Sequence, residues 1–545
     1  MTLLCVPIAG DDAGTMLADA AEAKASGADI VEFRVDRLFE GEGDDAGWRA
    51  VLRLSDESPL PCIVTCRAAS EGGEYDGDDA SRLALYEALG AADRPPRYLD
   101  LEHAAYARSA NLRQKAHLAV DHPGQLRDLG TRLILSAHDF QGRPSDLARR
   151  AAAMQAEDAA SIVKIAFRAR SVRDNLEVFD LLAERVKPMV ALAMGEEGLL
   201  SRVLAPKFGA FLTFASLRDA AATAPGQPSI GDLLGLYQFR GVGASTKVYG
   251  VLGYPVAQSL SPLVHNAGFR APGVEHDGVY LPLPVPPEWE HFKATALDLL
   301  HHPGLDFRGA SVTIPHKQHL VRLAREQGWE IDDLSAATGA ANTIVSDGPT
   351  GPVRVMNTDG PAAAECLRRA MGWLKGRRIA VIGAGGAARG VVAALVREGA
   401  TVAVYARQKE QAERIADDLK HLPAGAGSEG KAVAAPWDKL CGSCCEAFVN
   451  CTPLGMAHGP APEGSPIPRA EFEHIPQGTV IMDTVYNPVR TPMLEAALDH
   501  NLPIVEGVSM FVRQAALQFE AWTGREAPVA QFERLVRGRL SAPRG

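Results

Sequence analysis

Nothing in this chain of 545 residues is apolar for long enough to cross a bilayer. Positive charge is in deficit, with 56 Lys and Arg against 67 Asp and Glu, a net charge of -11 that argues against nucleic acid or an anionic membrane as partner. The acidic excess is scattered rather than blocked, as on a solvated surface. Cysteine is scarce: the eight residues, several inside apolar runs, suit a reducing cytoplasm rather than a disulfide framework. Cys441-Gly-Ser-Cys444-Cys445 lacks a second paired-Cys motif to complete four ligands, so no metal is expected. Met1-Thr2 runs directly into the apolar stretch Leu3 to Ile8, so neither a signal nor a transit peptide is expected, and the expected location is cytoplasmic.

What is present is enough for about three domains of roughly 150 residues each. The first part alternates apolar strands with alanine-rich amphipathic stretches. Strands are predicted near 3–9, 29–35, 61–67, 97–102, 132–137, 161–166, 188–194 and 210–215. Helical patterns at 15–26, 79–90 and 145–155 follow some of them. Eight such repeats ending near Phe239 predict an α/β fold, a (β/α)8 barrel over residues 1–240. Gly241-Val-Gly-Ala-Ser245 reads as a junction. A second α/β pattern begins at Lys247, and near Arg377 it becomes a strand–turn–helix. Residues 246–359, completed by 509–545, are expected to form one domain and 360–508 a Rossmann-like domain. The Gly-rich segment 422–431 reads as a loop.

Barrel enzymes place polar residues at strand carboxyl ends around the active site. Here those positions carry Glu32 and Arg34, Arg67 with Glu71 beyond it, Asp100 and Glu102, His138, Lys164, Arg202, and Gln227. Lys164 stands between apolar neighbours, where charging an amine is expensive and the neutral nucleophile is favoured. Such an amine attacks a ketone to give an iminium, an electron sink that acidifies the adjacent carbon. His138, one strand away, suits general acid–base work, and the arginines suit a carboxylate substrate. The bland alternative pairs Lys164 structurally with Glu32 or Glu102.

The motifs Glu32-Phe-Arg34-Val-Asp36, Arg67-Ala-Ala-Ser-Glu71-Gly-Gly, His138-Asp-Phe, Lys164-Ile-Ala, Ser201-Arg202 and Ala224-Pro-Gly-Gln227 resemble those of type I dehydroquinate dehydratase over residues 1 to about 240. The resemblance implies Lys164 as the Schiff-base lysine and His138 as the proton shuttle. It gives Glu71 the role of tuning His138 or closing a lid. Glu32, Arg34, Arg67, Arg202 and Gln227 would hold the substrate, as would Thr223, which stands where some relatives carry Ser.

The second half offers Gly383-Ala384-Gly385-Gly386-Ala387 between a strand and a helix. The spacing is not a strict G-x-G-x-x-G and is also compatible with a plain tight turn. Glycines there let a pyrophosphate approach the helix N-terminus. The next strand ends without the Asp or Glu that binds an NAD ribose and presents Arg407 and Lys409 instead, which suit a 2′-phosphate and favour NADP. The alternative is that both are solvated surface cations. Ser259-Leu-Ser261-Pro, Ser311-Val-Thr313-Ile-Pro-His-Lys317, Gly339-Ala-Ala-Asn342-Thr, Asn357-Thr-Asp359-Gly, Asn450-Cys-Thr452-Pro-Leu-Gly and Glu506-Gly507-Val-Ser-Met with Gln514 together resemble shikimate dehydrogenase over residues 246–545.

That resemblance implies Lys317 and Asp359 as the catalytic pair, Tyr486 among the substrate residues and Thr452 and Gly507 beside the cofactor. Hydride delivery to a ketone builds charge on oxygen, which needs a donor such as Lys317. Ser259, Ser261, Thr313, Asn342 and Gln514 suit a polyhydroxylated ring. His316 and His319 read as an ordinary helix start rather than metal ligands. The joint expectation is a bifunctional enzyme of aromatic amino-acid biosynthesis. It would convert 3-dehydroquinate to 3-dehydroshikimate and reduce that to shikimate with NADPH, with no metal, prosthetic group, nucleic acid or membrane. Two rivals stand beside it: a catabolic quinate/shikimate dehydrogenase using NAD, and a non-catalytic metabolite-binding regulator. Oligomeric state is not legible.

Overall fold

The computed structural model describes residues 1–41, 43–126, 129–218, 226–420, 422 and 430–541. The chain divides into two compact units, Met1–Thr246 and Lys247–Gly545.

In the first unit the strands are β1 Leu3–Ala9, β2 Ile30–Arg34, β3 Cys62–Thr65, β4 Tyr98–Glu102, β5 Arg132–Asp139, β6 Ala160–Arg168, β7 Met189–Met194 and β8 Leu212–Phe214. Their order is β7-β6-β5-β4-β3-β2-β1-β8, every printed pair parallel. Phe211 N–H donates to Met189 O at 2.8 Å beside the β7–β8 gap, so the barrel all but closes. β3 and β7 are buried at every position, the continuous apolar run that a sheet covered on both faces requires. Several helices start where a side chain satisfies a free N–H: Asp12 accepts from Thr15, Asp78 from Ser81 and Ser109 from Leu112.

The expected strands are all present, with shifted ends. β8 keeps only three of the six residues expected, while β5 and β6 run further toward their carboxyl ends. His138 therefore lies inside β5, paired with Ala166, and Ser136 pairs with Lys164.

The second unit holds two six-stranded sheets. The first contains β9 Lys247–Gly253, β10 Gly278–Pro284, β11 Phe307–Val312, β12 Glu330–Ile331, β13 Thr343–Ser346 and β14 Val353–Met356. Its order is β10-β9-β11-β13-β14-β12, with β13 antiparallel to both neighbours. The second contains β15 Arg378–Ile382, β16 Thr401–Tyr405, β17 Lys431–Ala435, β18 Ala447–Asn450, β19 Val480–Asp483 and β20 Ile504–Val505. All its strands are parallel, in the order β17-β16-β15-β18-β19-β20. The order reverses at β15, and the crevice outside the carboxyl ends of β15 and β18 is where such sheets take ligands.

No chain break marks residue 360, because one helix, Asp359–Met371, runs through it. Of the expected loop at 422–431, residues 423–429 lie outside the described residues and Lys431 already belongs to β17. Among the described residues, no helix is long and apolar enough to cross a membrane.

Candidate active sites

In the barrel, Lys164 projects from the middle of β6 with its side chain 7% exposed. Its Nζ lies 3.2 Å from Glu32 Oε1 and 3.0 Å from Asp100 Oδ2. The Phe214 ring centroid is 4.7 Å away. The expected structural partner Glu102 does not take part. Glu102 is held instead by Arg67 at 3.1 Å and by the fully buried Arg82 at 2.7 Å. Arg67 also donates to Asp100 at 2.7 Å and Ser136 at 2.8 Å. Its nitrogens are thus committed to neighbouring side chains, and it balances the carboxylates around Lys164. Burial pushes the Asp100 carboxyl up, but Arg67 and Lys164 outweigh burial and hold it well below the usual range.

His138 sits beside Glu71, which ends the short turn Ala69–Glu71. Glu71 Oε2 accepts the His138 backbone N–H at 3.0 Å and lies 3.1 Å from Nδ1. Burial, with Arg67 and Lys164 nearby, holds the imidazole well below its ordinary value, so it is neutral at physiological pH. Burial raises the Glu71 carboxyl to about 7. An ionised Glu71 accepts from Nδ1–H and leaves Nε2 as the free base.

Arg34 makes a two-pronged pair with Asp36, both bonds at 2.9 Å. Arg202 is 1% exposed, forms no ion pair among the described residues, and its Nε has no hydrogen-bond partner. Burial alone lowers it to about 10, still charged at neutrality. A buried cation without a counter-ion is a site for an anion. Gln227 is half-buried beyond β8. Thr223 lies outside the described residues.

In the second unit, Lys317 opens the helix Lys317–Gln327 and Asp359 the helix Asp359–Met371. Lys317 Nζ donates to Asp359 Oδ2 at 2.5 Å. Asn342 Nδ2 donates to Asp359 Oδ1 at 2.9 Å and meets Gln514 Oε1 at 3.4 Å. The amide cannot be turned round, because Asn342 Oδ1 accepts the Thr358 backbone N–H at 2.8 Å. Thr313 follows β11, half-buried, and Ser259 Oγ accepts the Ser261 N–H at 3.3 Å. Tyr486 packs against Phe511 at a tilt of 36°, with ring centroids 4.6 Å apart.

The glycine turn follows β15. Gly383 takes a φ of +121°, and Ala384 continues the turn. Gly385 is the cap position of the helix Gly386–Arg397 and offers it no side-chain hydrogen bond. The first N–H groups, Ala387 among them, are left for a ligand, the arrangement that suits a pyrophosphate. A Cβ built on Gly386 would lie 3.0 Å from Lys317 Cβ, so the helix Gly386–Arg397 begins against Lys317. Thr452 follows β18 and bonds back to Asn450. At the far side, Arg407 is exposed and makes no ion pair among the described residues, whereas Lys409 is taken by Glu413 at 2.9 Å. Of the two predicted phosphate ligands, Arg407 is the one left open. No group of three or more His, Cys, Asp or Glu able to hold a metal occurs among the described residues.

Four family models match the chain. Type I 3-dehydroquinase covers residues 4–244, and the shikimate dehydrogenase substrate binding domain covers 251–344. Shikimate / quinate 5-dehydrogenase covers 365–427, and the shikimate 5′-dehydrogenase C-terminal domain covers 507–537. The chloroplastic bifunctional 3-dehydroquinate dehydratase/shikimate dehydrogenase of Arabidopsis thaliana is 34% identical over 555 residues, 97% of this chain and 83% of that protein. The chain belongs to this bifunctional family. A shikimate dehydrogenase (NADP(+)) of Methanocella arvoryzae is 35% identical over 54% of this chain and 99% of its own. A solved shikimate dehydrogenase in complex with NADP+ is 31% identical, covers 55% of this chain and 97% of that one, and has a TM-score of 0.48.

Some residues bonded to the candidate site residues of this bifunctional enzyme are not legible in the sequence. Asp100 was legible as a strand-end acid but not as the partner of Lys164. Arg82 was hidden in an amphipathic helix pattern. Tyr280 and Gln518 lie in apolar surroundings, yet Tyr280 donates to Ser311 at 2.6 Å and Ser311 to Gln518 at 2.8 Å. Gln518 in turn donates to Asn342 O at 3.1 Å. A buried polar residue within an apolar stretch was their one sequence signal.

Proposed function

We propose that the barrel dehydrates 3-dehydroquinate through a Schiff base on Lys164 and that the second unit reduces the resulting 3-dehydroshikimate to shikimate with NADPH. The Lys164 amine, in its unprotonated form, adds to the ring ketone. Loss of one water leaves the iminium. His138 Nε2 removes the acidified proton from the adjacent carbon and returns it to the departing hydroxyl, which leaves as a second water. Hydrolysis of the iminium consumes one water and frees Lys164, so the net change is one water lost. Arg202 supplies the charge for the substrate carboxylate. The acceptor-only Glu71 keeps the His138 proton on Nδ1.

In the second unit the uncapped helix start and the open Arg407 fit the diphosphate and 2′-phosphate of NADP. NADPH bound there supplies the hydride for the ketone carbon. Lys317 gives the proton to the ketone oxygen, held in place by Asp359, and Asn342 fixes Asp359 in turn. Ser259, Ser261, Thr313, Tyr486 and Gln514 surround the ring.

The observation that carries this reading is Lys164 held between two carboxylates with a neutral, carboxylate-backed imidazole on the neighbouring strand. The test is purified protein with 3-dehydroquinate and NADPH, followed by absorbance. Steady oxidation with shikimate as product is expected. Lys164→Ala should abolish oxidation from 3-dehydroquinate yet leave it intact from 3-dehydroshikimate. Retained dehydratase turnover in that variant excludes the Schiff base. Turnover with NAD instead of NADP would favour a quinate/shikimate dehydrogenase, and ligand binding without turnover a regulator.

A further inference from the structure

Asp483 ends β19 with its side chain wholly buried, and it forms no ion pair among the described residues. Oδ1 accepts Asn450 Nδ2–H and Val485 N–H, both at 3.0 Å, and Oδ2 accepts the Thr491 hydroxyl at 2.7 Å. Two of these donors are fixed from their far sides, and the backbone N–H has no alternative role. Asn450 Oδ1 accepts from Thr452 N–H at 2.9 Å and from its hydroxyl at 2.6 Å, so the Asn450 amide nitrogen must face Asp483. Thr491 Oγ1 accepts Leu494 N–H at 3.4 Å as the cap of the helix Pro492–Asp499, which turns its proton toward Asp483. Three donors therefore converge on one side chain. An amide could accept at only one end, whereas a carboxylate accepts at both.

Retaining such a group is costly, since a buried charge without a cation is destabilising. Burial pushes the Asp483 carboxyl up to about 6, against the pull of Thr491, Val485 and Asn450. The titratable side chain it acts on is the Cys451 thiol, which burial holds protonated. Its other neighbours on β18, on the turn after β19 and at Thr491 are neutral.

The donors come from two connections: Asn450 ends β18, whereas Val485 and Thr491 both lie between β19 and the helix Pro492–Asp499. Asn450 opens the turn carrying Thr452. Val485 precedes Tyr486. A Cβ on Gly507 would lie 2.1 Å from Val485 O, so Val485 also sets how closely the helix Gly507–Thr523, with Gln514, can approach. We infer that the Asp483 carboxylate is the positioning residue that holds the cofactor-side turn at Thr452 and the substrate-side Tyr486 in register. The inference rests on the reductase reading above. Protonating Asp483 places a fourth proton among three donors, so register and turnover are lost together as pH falls through its titration.

The test is steady-state oxidation of shikimate with NADP+ by the full chain, from about pH 5 to about pH 9. An inactive wild type would overturn the reductase reading and the inference with it, whereas an active wild type with unaffected variants would overturn the positioning role alone, so the two failures are distinct. With an active wild type, Asp483→Asn should lower kcat/KM at least about tenfold and erase the low-pH limb that Asp483 contributes. Thr491→Val removes one of the three donors and should move that limb to higher pH, because fewer donors favour the protonated acid. This second variant decides the matter should Asp483→Asn not fold. Thermal unfolding and near-ultraviolet circular dichroism of each preparation monitor folding of the second unit. Wild-type kcat/KM in Asp483→Asn, or an unmoved limb in Thr491→Val, overturns the inference.

Discussion

At the scale of single residues, protonation decides whether His138 can act. The imidazole is held neutral by burial, so its own titration lies well below physiological pH. The group that titrates near neutrality is Glu71, raised to about 7. Below that pH Glu71 carries a proton and no longer obliges Nδ1 to donate, so dehydratase kcat should fall on the acid side of about 7. In Glu71→Gln that limb disappears, with a plateau lower by about tenfold or more. Stability moves the opposite way. The folded state keeps the Glu71 proton to higher pH than the unfolded chain, whose glutamates titrate near ~4.3. Folded wild type therefore loses stability as pH rises between those values and bears the whole cost above them. Glu71→Gln should consequently unfold at a higher temperature than wild type at alkaline pH. A pH profile of kcat and thermal unfolding on the same samples check both signs. Sequence placed Glu71 and His138 among the catalytic candidates. It could not separate Asp100 from Glu102, because residues two apart on a strand point the same way. What separates them is Arg67 and Arg82 capturing Glu102, a choice made in three dimensions.

At the scale of elements, the strands were legible because a parallel sheet buried on both faces demands unbroken apolar runs. β15 and β16 follow that rule and were expected. β12, with two residues, and β14, with one buried position in four, do not follow it, so the order of the first six-stranded sheet was not readable. Strand ends also moved, which put His138 inside β5. The helix Gly386–Arg397 was legible from its glycines, but its proximity to Lys317 was not. That proximity makes Gly386 a steric gauge of the reductase site. A Cβ there meets Lys317 Cβ at 3.0 Å and Cδ at 3.1 Å, tighter than ordinary contact. The branched side chain of Gly386→Val should push Lys317 from Asp359 and crowd the cofactor turn. Reductase kcat should drop at least about tenfold and NADP affinity weaken, with dehydratase turnover unchanged. Steady-state rates for both reactions and an NADP titration would show it.

At the scale of the molecule, the chain is two enzymes whose site residues do not mix. Every barrel candidate falls before Thr246 and every reductase candidate after it. The two compact units divide between Thr246 and Lys247. Each unit also buries its own polar constellation: Lys164, Arg67 and Asp100 in one, Asn342, Asp359 and Asp483 in the other. Because each unit carries its own set of candidate residues, separation should leave both chemistries whole. Residues 1–246 and 247–545, produced as independent polypeptides, should each keep the kcat and KM that the intact chain has for its reaction. Steady-state assays of each piece with its own substrate test this directly. A fragment that folds by circular dichroism but loses turnover would mean that its site borrows something from the other unit. Equal kinetics would confine any benefit of fusion to the shared intermediate, whose local concentration a covalent link raises only in proportion to the proximity of the two sites.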